Sequence, residues 1–536
     1  MLERKRTIYT GARFITLDER MPEAECLCVV DGRIDSLGGR DEVMARVGSA
    51  PHGVVDLGGG VVYPGFIDTH SHLSFFSNAV NWTSCGVERG NVAGVLNALR
   101  GWAEKNPEGW IVGYGYDDTG LPEQRHLDRQ DLDAISADRP IIVVHISFHI
   151  GYLNSKALEL MGLNEGCDFT DAEVIRDAKG VPTGLLLEKA FFRAFELLPQ
   201  PTHEELKGNM RKAMRFYASK GFTSFMDGGV GVIGGYREFM QAYMDLDRNG
   251  QMDIRGYLHL MPSELDQLLE LKIHDFGSDM LHLGGAKLFI DGSIQGFTAA
   301  LHEGYHSRPE HCGDTICPPE ELAERVMRYH ANGVQVAVHA NGDRGAEIVI
   351  RAIEKAVAQH PEQKPRHILL HAQTVSDEQL RRMKDCGIIP SFFARHIEVW
   401  GDRHKALFLG PERAARLDPC GSAVALGLSF SLHVDSPILP PTALGSMHAA
   451  VNRVTSGGEV LGPEQRISAR EAVLAYTRHA ALCCKNENNI GQLTPGFFAD
   501  FVVLNRSIEE SEPASIRDIE VQATYCNGRK VFDRGK

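Results

Sequence analysis

The sequence predicts an α/β protein organised around a (β/α)₈ TIM barrel. Three observations predict it: short apolar runs alternate with helical patterns from Gly221 onward, eight such runs can be counted, and several end in histidine or aspartate. Strand–helix alternation implies parallel pairing with right-handed crossovers, and eight units are what a closed barrel requires.

The runs are VVYPGFIDTH (61–70), FTSFMD (222–227), IRGYLHL (254–260), AKLFID (286–291), VQVAVH (334–339), HILLH (367–371), IIPSFF (388–393) and LSFSLHV (428–434). Helical patterns such as 319–332 and 344–360 lie between them. Residues 71–221 separate the first run from the second, far beyond an ordinary βα connection of about 2–6 residues. That stretch carries strand-like WIVGYGY (110–116) and IIVVHIS (141–147), with helical patterns near 92–105, 154–161 and 203–219. It predicts an inserted α/β subdomain at about 85–220, placed above the barrel mouth, where it would cover the substrate.

Both ends of the chain are β-rich. Segments 26–31 and 33–37 flank Asp31-Gly32, a pair suited to a tight hairpin. The closing residues repeat the style with ADFVVLN (499–505), VQATYCN (521–527) and a turn at Asn527-Gly528. One small sheet domain built from both ends is expected.

The net charge of −15 disfavours nucleic acid or an anionic membrane as the main partner. No apolar run approaches the ~20 residues that span a bilayer. The opening MLERKRTIYTGARFITLDER lacks the apolar stretch of a secretory signal, and eleven scattered cysteines do not form a disulfide framework. A cytoplasmic setting is expected.

Strand side chains alternate faces, so His70 and His72 in DTHSHL point the same way from one strand end, making half a metal site. Other runs end at His339, His371 and, in LSFSLHVDSP, Asp435. A closed barrel brings all its C-terminal strand ends to one mouth, so these distant groups become neighbours. Lys287 sits inside the apolar run AKLFID, an expensive place unless it is paired or chemically altered. Charge logic allows two outcomes: a carbamate formed with CO₂ that bridges two cations, or an ion pair with Asp291 or Asp227. His302 and His306 fit H-E-x-x-H, but Gly304 and the following SRPEHCGD indicate a loop rather than the helix that motif needs. The G-x-G-x-x-G at 229–234 lacks a suitably placed ribose-binding acid.

Taken together, GFIDTHSHL, the strand-end His339 and His371, HVDSP and QLTPGFFADFVVL resemble the amidohydrolase superfamily of metal-dependent hydrolases. KLFIDGSIQGFTAAL, VHANGD, SFHIGYLNSKAL and PTGLLLEKA are similar to the branch that contains N-substituted formamide deformylase. The resemblance implies a barrel at 63–481 and a composite β-sandwich from 1–62 and 482–536. It maps His70 and His72 to a first-strand metal pair, Lys287 to a bridging ligand, His339 and His371 to the fifth- and sixth-strand ligands, and Asp435 to the eighth-strand carboxylate. One or two divalent ions, zinc above all, would be held, with Lys287 carboxylated or Glu188 supplying a carboxylate instead.

The activity implied is hydrolysis of a non-peptide C–N bond, an N-substituted amide or formamide, by metal-bound hydroxide with Asp435 as proton shuttle. A cyclic amidase or deaminase on the same site, or a non-catalytic scaffold of this fold, is the alternative. His149, Asn154, Asp291, His396 and Trp400 are candidates for contacts to a small-molecule substrate, with Trp400 imagined as an exposed lid residue; a helix-capping role competes at Asn154. Association into a homo-oligomer is compatible with the sequence.

Overall fold

A computed structural model describes residues 5–148, 150–163, 173–231, 235–273 and 276–535. The chain divides into two compact units, one of Met1–Ser74, Arg211–Ser436 and Pro440–Lys536, the other of Phe75–Met210 and Pro437–Leu439.

The larger unit contains an eight-stranded sheet in strict chain order: β1 (Phe66–Ser71), β2 (Phe222–Gly228), β3 (Arg255–Leu260), β4 (Leu281–Phe289), β5 (Val336–Ala340), β6 (Ile368–His371), β7 (Ile389–Phe392) and β8 (Ser431–Leu432). Every neighbouring pair is parallel. Most of these strands are buried on both faces, which is why they read as continuous apolar runs rather than alternating ones. The seam between β1 and β8 is bridged just past the strand ends. Asp435 N–H donates to His70 C=O at 3.0 Å, and His72 N–H donates to Ser436 C=O at 2.8 Å.

The crossover helices follow local sequence rules. Asp343–Gln359 buries Ala346, Val349, Ile350, Ile353 and Ala356, one stripe at helical spacing. Asp377–Cys386 starts at a capping box formed by Ser376 and Gln379 and stops at Gly387, whose φ of 69° suits glycine.

Two strand expectations change. Residues 61–70 are not one barrel strand: Val61–Pro64 belongs to another sheet, and only β1 enters the barrel. Gly65 makes the switch. Its N–H donates to Asp500 C=O at 2.9 Å, and a Cβ there would lie 2.1 Å from Thr223 Oγ1. The eighth run shortens to two residues, Ser431–Leu432, because the chain leaves ladder geometry to reach the seam.

Val61–Pro64 joins a six-stranded sheet with Arg13–Ile15, Glu23–Ala24, Phe501–Leu504, Val521–Cys526 and Arg529–Asp533, so both chain ends contribute to it. A four-stranded sheet of Arg33–Gly38, Cys26–Val30, Arg6–Thr10 and Gly53–Asp56 shares its core, where Phe14, Leu27, Val62, Phe501 and Tyr525 cluster. Asp31-Gly32 (φ 50° and 84°) and Asn527-Gly528 (φ 52° and 65°) adopt the left-handed pairs that hairpin turns demand.

The smaller unit has its own six-stranded sheet, ordered Val174–Arg176, Pro182–Leu187, Ile150–Leu153, Ile141–His145, Ile111–Tyr116 and Thr83–Ser84. Helix Val92–Lys105 lays Val92, Val95 and Leu99 on a core with Ile111, Ile141 and Val143. No described helix in the protein is long and apolar enough to cross a membrane.

Candidate metal centre

The C-terminal ends of β1, β4, β5, β6 and the residues after β8 each deliver a donor. His70 Nε2 and His72 Nε2 each lie 3.4 Å from Asp435 Oδ1. Lys287 Nζ lies 3.2 Å from His70 Nε2. His371 Nε2 faces His339 Nδ1 at 3.0 Å, and the His70 and His371 ring centres are 5.4 Å apart. All six residues expected at a metal centre therefore lie in one connected cluster. His371 and Asp435 hold left-handed backbone angles, φ 68° and 49°, which are uncommon for non-glycine residues.

Electrostatics keep the donors usable. Burial, then the neighbouring Lys287 and imidazoles, pushes His70 well below the ordinary histidine range; burial and His339 do the same to His371. Burial brings His339 down to about 4. Neutral imidazole is the ligand form. Burial opposes ionisation of Asp435, yet His72, His433 and Lys287 around it outweigh that and hold the carboxyl at about 2. Lys287 is fully buried and burial lowers it to about 7, so that a neutral, nucleophilic amine is available near neutral pH.

The ion pairs considered for Lys287 do not form. Asp227 accepts from Ser74 N–H at 2.9 Å and Tyr243 O–H at 2.7 Å. Asp291 accepts backbone N–H groups of Asn341 (2.9 Å), Gly342 (2.8 Å) and Ala300 (2.9 Å), tying the end of β4 to the loop after β5. Asp291 thus acts as a loop clamp. Two buried polar atoms of the cluster, Asp435 Oδ1 and His72 Nδ1, have no hydrogen-bond partner. An unpartnered carboxylate oxygen between two imidazoles is what a divalent cation would satisfy, so the donor set fits a metal.

Other expected contacts fare differently. Asn154 caps helix Ser155–Leu160: its Oδ1 accepts from Ala157 N–H and Ile141 N–H, each at 2.9 Å, and its Nδ2 donates to Ser136 C=O at 2.9 Å and Arg139 C=O at 2.8 Å. Its hydrogen-bonding capacity is full, which corrects the substrate role expected of it. Trp400 is not an exposed lid residue; it is buried, 4% exposed, in helix Arg395–Arg403. On the same helix His396 stands 6.3 Å from the His371 ring, with Nδ1 3.8 Å from the fully buried Asp418 carboxylate. His149 lies outside the described residues. Glu188 opens helix Glu188–Phe195. His302 and His306 are in a loop, as the sequence indicated.

One member of the cluster escaped the sequence reading. His433, fully buried, places Nε2 3.3 Å from His371 Nδ1. The signal was present: H-V-D puts His433 and Asp435 on one side of the chain, by the same alternation applied to His70 and His72. A separate group in the smaller unit, Asp117, Asp118 and His145, satisfies itself internally; His145 Nε2 meets Asp118 Oδ1 at 2.9 Å, and Asp117 accepts from Thr119 and Gly120.

A parallel barrel whose strand ends gather imidazoles, a buried lysine and a carboxylate defines a metal-dependent hydrolase. A sequence profile of the amidohydrolase family matches residues 53–532, and the chain belongs to that family. It is thus a hydrolase of carbon–nitrogen bonds. The chain is 28% identical to YtcJ of Bacillus subtilis (strain 168), a protein whose name places it provisionally among the amidohydrolases, across 99% of this chain and 100% of that one. It is 26% identical to N-substituted formamide deformylase of Arthrobacter pascens, across 100% of this chain and 99% of that enzyme. The crystal structure of an uncharacterized metal-dependent hydrolase from Pyrococcus furiosus superposes with a TM-score of 0.76 at 27% identity, covering 94% of this chain and 100% of that one.

Proposed function

We propose that the protein hydrolyses a non-peptide C–N bond in a small N-substituted amide or formamide, using one or two divalent ions held by His70, His72, Lys287, His339, His371 and Asp435. The observation that carries this reading is the orphaned Asp435 Oδ1, set 3.4 Å from both His70 Nε2 and His72 Nε2. Nitrogen and oxygen donors of this kind suit Zn²⁺. Such an ion supplies Lewis acidity, polarising a carbonyl and lowering the pKa of water from 15.7 to about 7.

The chain's own groups do the remaining work. Asp435 is ionised above about pH 2, so its carboxylate takes the proton of the attacking water and returns it to the leaving nitrogen. An amide nitrogen leaves poorly until protonated, so this transfer governs bond cleavage. The lowered amine of Lys287 favours reaction with CO₂, which would make it an anionic oxygen donor. His396, whose ring lies 6.3 Å from that of His371, is the contact proposed for the substrate carbonyl or its substituent. The ten described cysteines are all free, which fits a reducing cytoplasm.

The test is direct. Protein purified with zinc and bicarbonate should retain stoichiometric metal and release amine or formate from a panel of N-substituted amides, and chelation should abolish turnover reversibly. A chain that holds no transition metal under those conditions, or keeps its activity after chelation, would falsify this reading.

A further inference from the structure

The second nitrogen of His371 is tied into a hydrogen-bond chain that crosses four strands. His371 Nδ1 lies 3.3 Å from His433 Nε2, and His433 Nδ1 lies 2.9 Å from Ser391 Oγ. Ser391 Oγ is 2.9 Å from Thr69 Oγ1, which donates to Ser431 Oγ at 2.9 Å with the Leu432 carbonyl at 3.4 Å. Thr69 belongs to β1, His371 to β6, Ser391 to β7 and Ser431 to β8. None of the five side chains is more than 3% exposed, so water has little access to replace a missing partner.

Such a chain carries its protons in one direction. Thr69 Oγ1 donates to Ser431 Oγ, with the Leu432 carbonyl as a second, longer acceptor, so its proton is assigned toward the β8 end. Thr69 Oγ1 is then free to accept from Ser391 O–H. Ser391 Oγ accepts from His433 Nδ1–H, which leaves His433 Nε2 as an acceptor. In this direction His371 carries its proton on Nδ1, and its Nε2 lone pair is left facing His339 Nδ1 at 3.0 Å. The opposite direction would put a proton on His371 Nε2 and remove a donor from the cluster. Asp435, two residues after His433, has no place in the chain, and both nitrogens of His433 are occupied within it.

We infer that His433 is a positioning residue that, through Ser391 and Thr69, fixes His371 in the tautomer whose Nε2 can bind a metal. This rests on the proposed reading of His371 as a ligand. A hydrogen-bond partner on the far nitrogen of a metal-binding histidine sets its tautomer and ring orientation, and losing that partner typically weakens metal binding about 10–100-fold. The use of a second imidazole, anchored by two hydroxyls, means that the ligand state is set by residues on three other strands.

Two measurements on the full chain test this. In zinc competition against a chromophoric chelator, His433→Leu should bind the ion at the His339–His371 position about 10–100-fold more weakly. His433→Gln, which keeps an acceptor near the former Nε2, should stay within a few-fold of the unsubstituted protein. Equal binding by His433→Leu overturns the inference; so does a His433→Gln defect as large as that of His433→Leu, which would make His433 a ligand. The second measurement needs no metal: long-range ¹H–¹⁵N spectra of histidine-labelled, zinc-free protein should show His371 as the Nδ1–H tautomer, and Ser391→Ala should disturb it. A His371 that is Nε2–H in the unsubstituted chain sinks the relay even if zinc binds, whereas a chain with the right tautomer that takes up no zinc sinks only the metal reading.

Discussion

The backbone N–H of Asp435 donates to the carbonyl of His70 at 3.0 Å, and the side chains of the same two residues approach to 3.4 Å. Barrel closure and the donor cluster thus share the same two residues. The Asp435–His70 and His72–Ser436 seam bonds use main-chain groups only, so the Asp435 side chain can be changed without removing them.

That separation predicts the behaviour of Asp435→Asn. The seam bonds and far-UV circular dichroism should persist, because asparagine is isosteric and keeps its N–H. Turnover should fall at least about 100-fold, since the amide cannot accept and return a proton. Comparable kcat values in the two proteins would remove Asp435 from the proton-transfer role.

The histidines predict a pH dependence of stability for metal-free protein. Burial holds His339 at about 4 and His433, His259 and His367 at about 3, against about 6.5 in an unfolded chain. As pH falls below about 6.5 the unfolded chain binds protons first, so stability is lost on the acid side and is full above that value. Each such histidine contributes a slope of up to about 1.4 kcal/mol per pH unit down to its native value. Denaturant midpoints recorded from pH 7 to 4 should fall steeply; a level profile would contradict buried, neutral rings.

Much of this was legible in the sequence because the barrel turns local pattern into position. Apolar runs that stop at His339 or His371 mark both a strand and its C-terminal end, and the architecture then brings the ends together. The split at Gly65 was hidden because a run such as VVYPGFIDTH shows no break in hydrophobicity; only the approach of Thr223 reveals why the chain must change sheets there. Asn154 and Trp400 misled for a related reason. Polar or aromatic character looks functional in one dimension, whereas four filled hydrogen bonds or 4% exposure is a property of three.

Asn154→Ala should therefore act on stability and spare substrate affinity. It removes a helix cap, worth about 0.5–2 kcal/mol, and leaves Ile141 N–H and two carbonyls without their partner. The thermal midpoint should drop by several degrees while KM stays within about two-fold below that midpoint. A raised KM at unchanged stability would return Asn154 to the substrate.

The N-terminal end of the barrel should likewise lose stability, and keep its chemistry, on the loss of Asp500. Arg255, the first residue of β3, is fully buried and grips Asp500 through Nε at 2.6 Å and Nη2 at 3.1 Å, with the Phe498 ring 3.7 Å beneath its guanidinium. Asp500 directly precedes the strand Phe501–Leu504 of the six-stranded sheet, so the pair joins that sheet to the barrel base. Asp500→Ala leaves a buried cation unpaired and should cost about 3–5 kcal/mol, read as a lower denaturant midpoint. The double change Arg255→Met with Asp500→Leu should recover part of that loss, because the charge that needed a partner is gone. The N-terminal face of a parallel barrel serves stability while the C-terminal face serves chemistry, so both variants should keep their kcat at temperatures where they remain folded. A double variant less stable than Asp500→Ala would show that the ion pair contributes more than the satisfaction of its own buried charges.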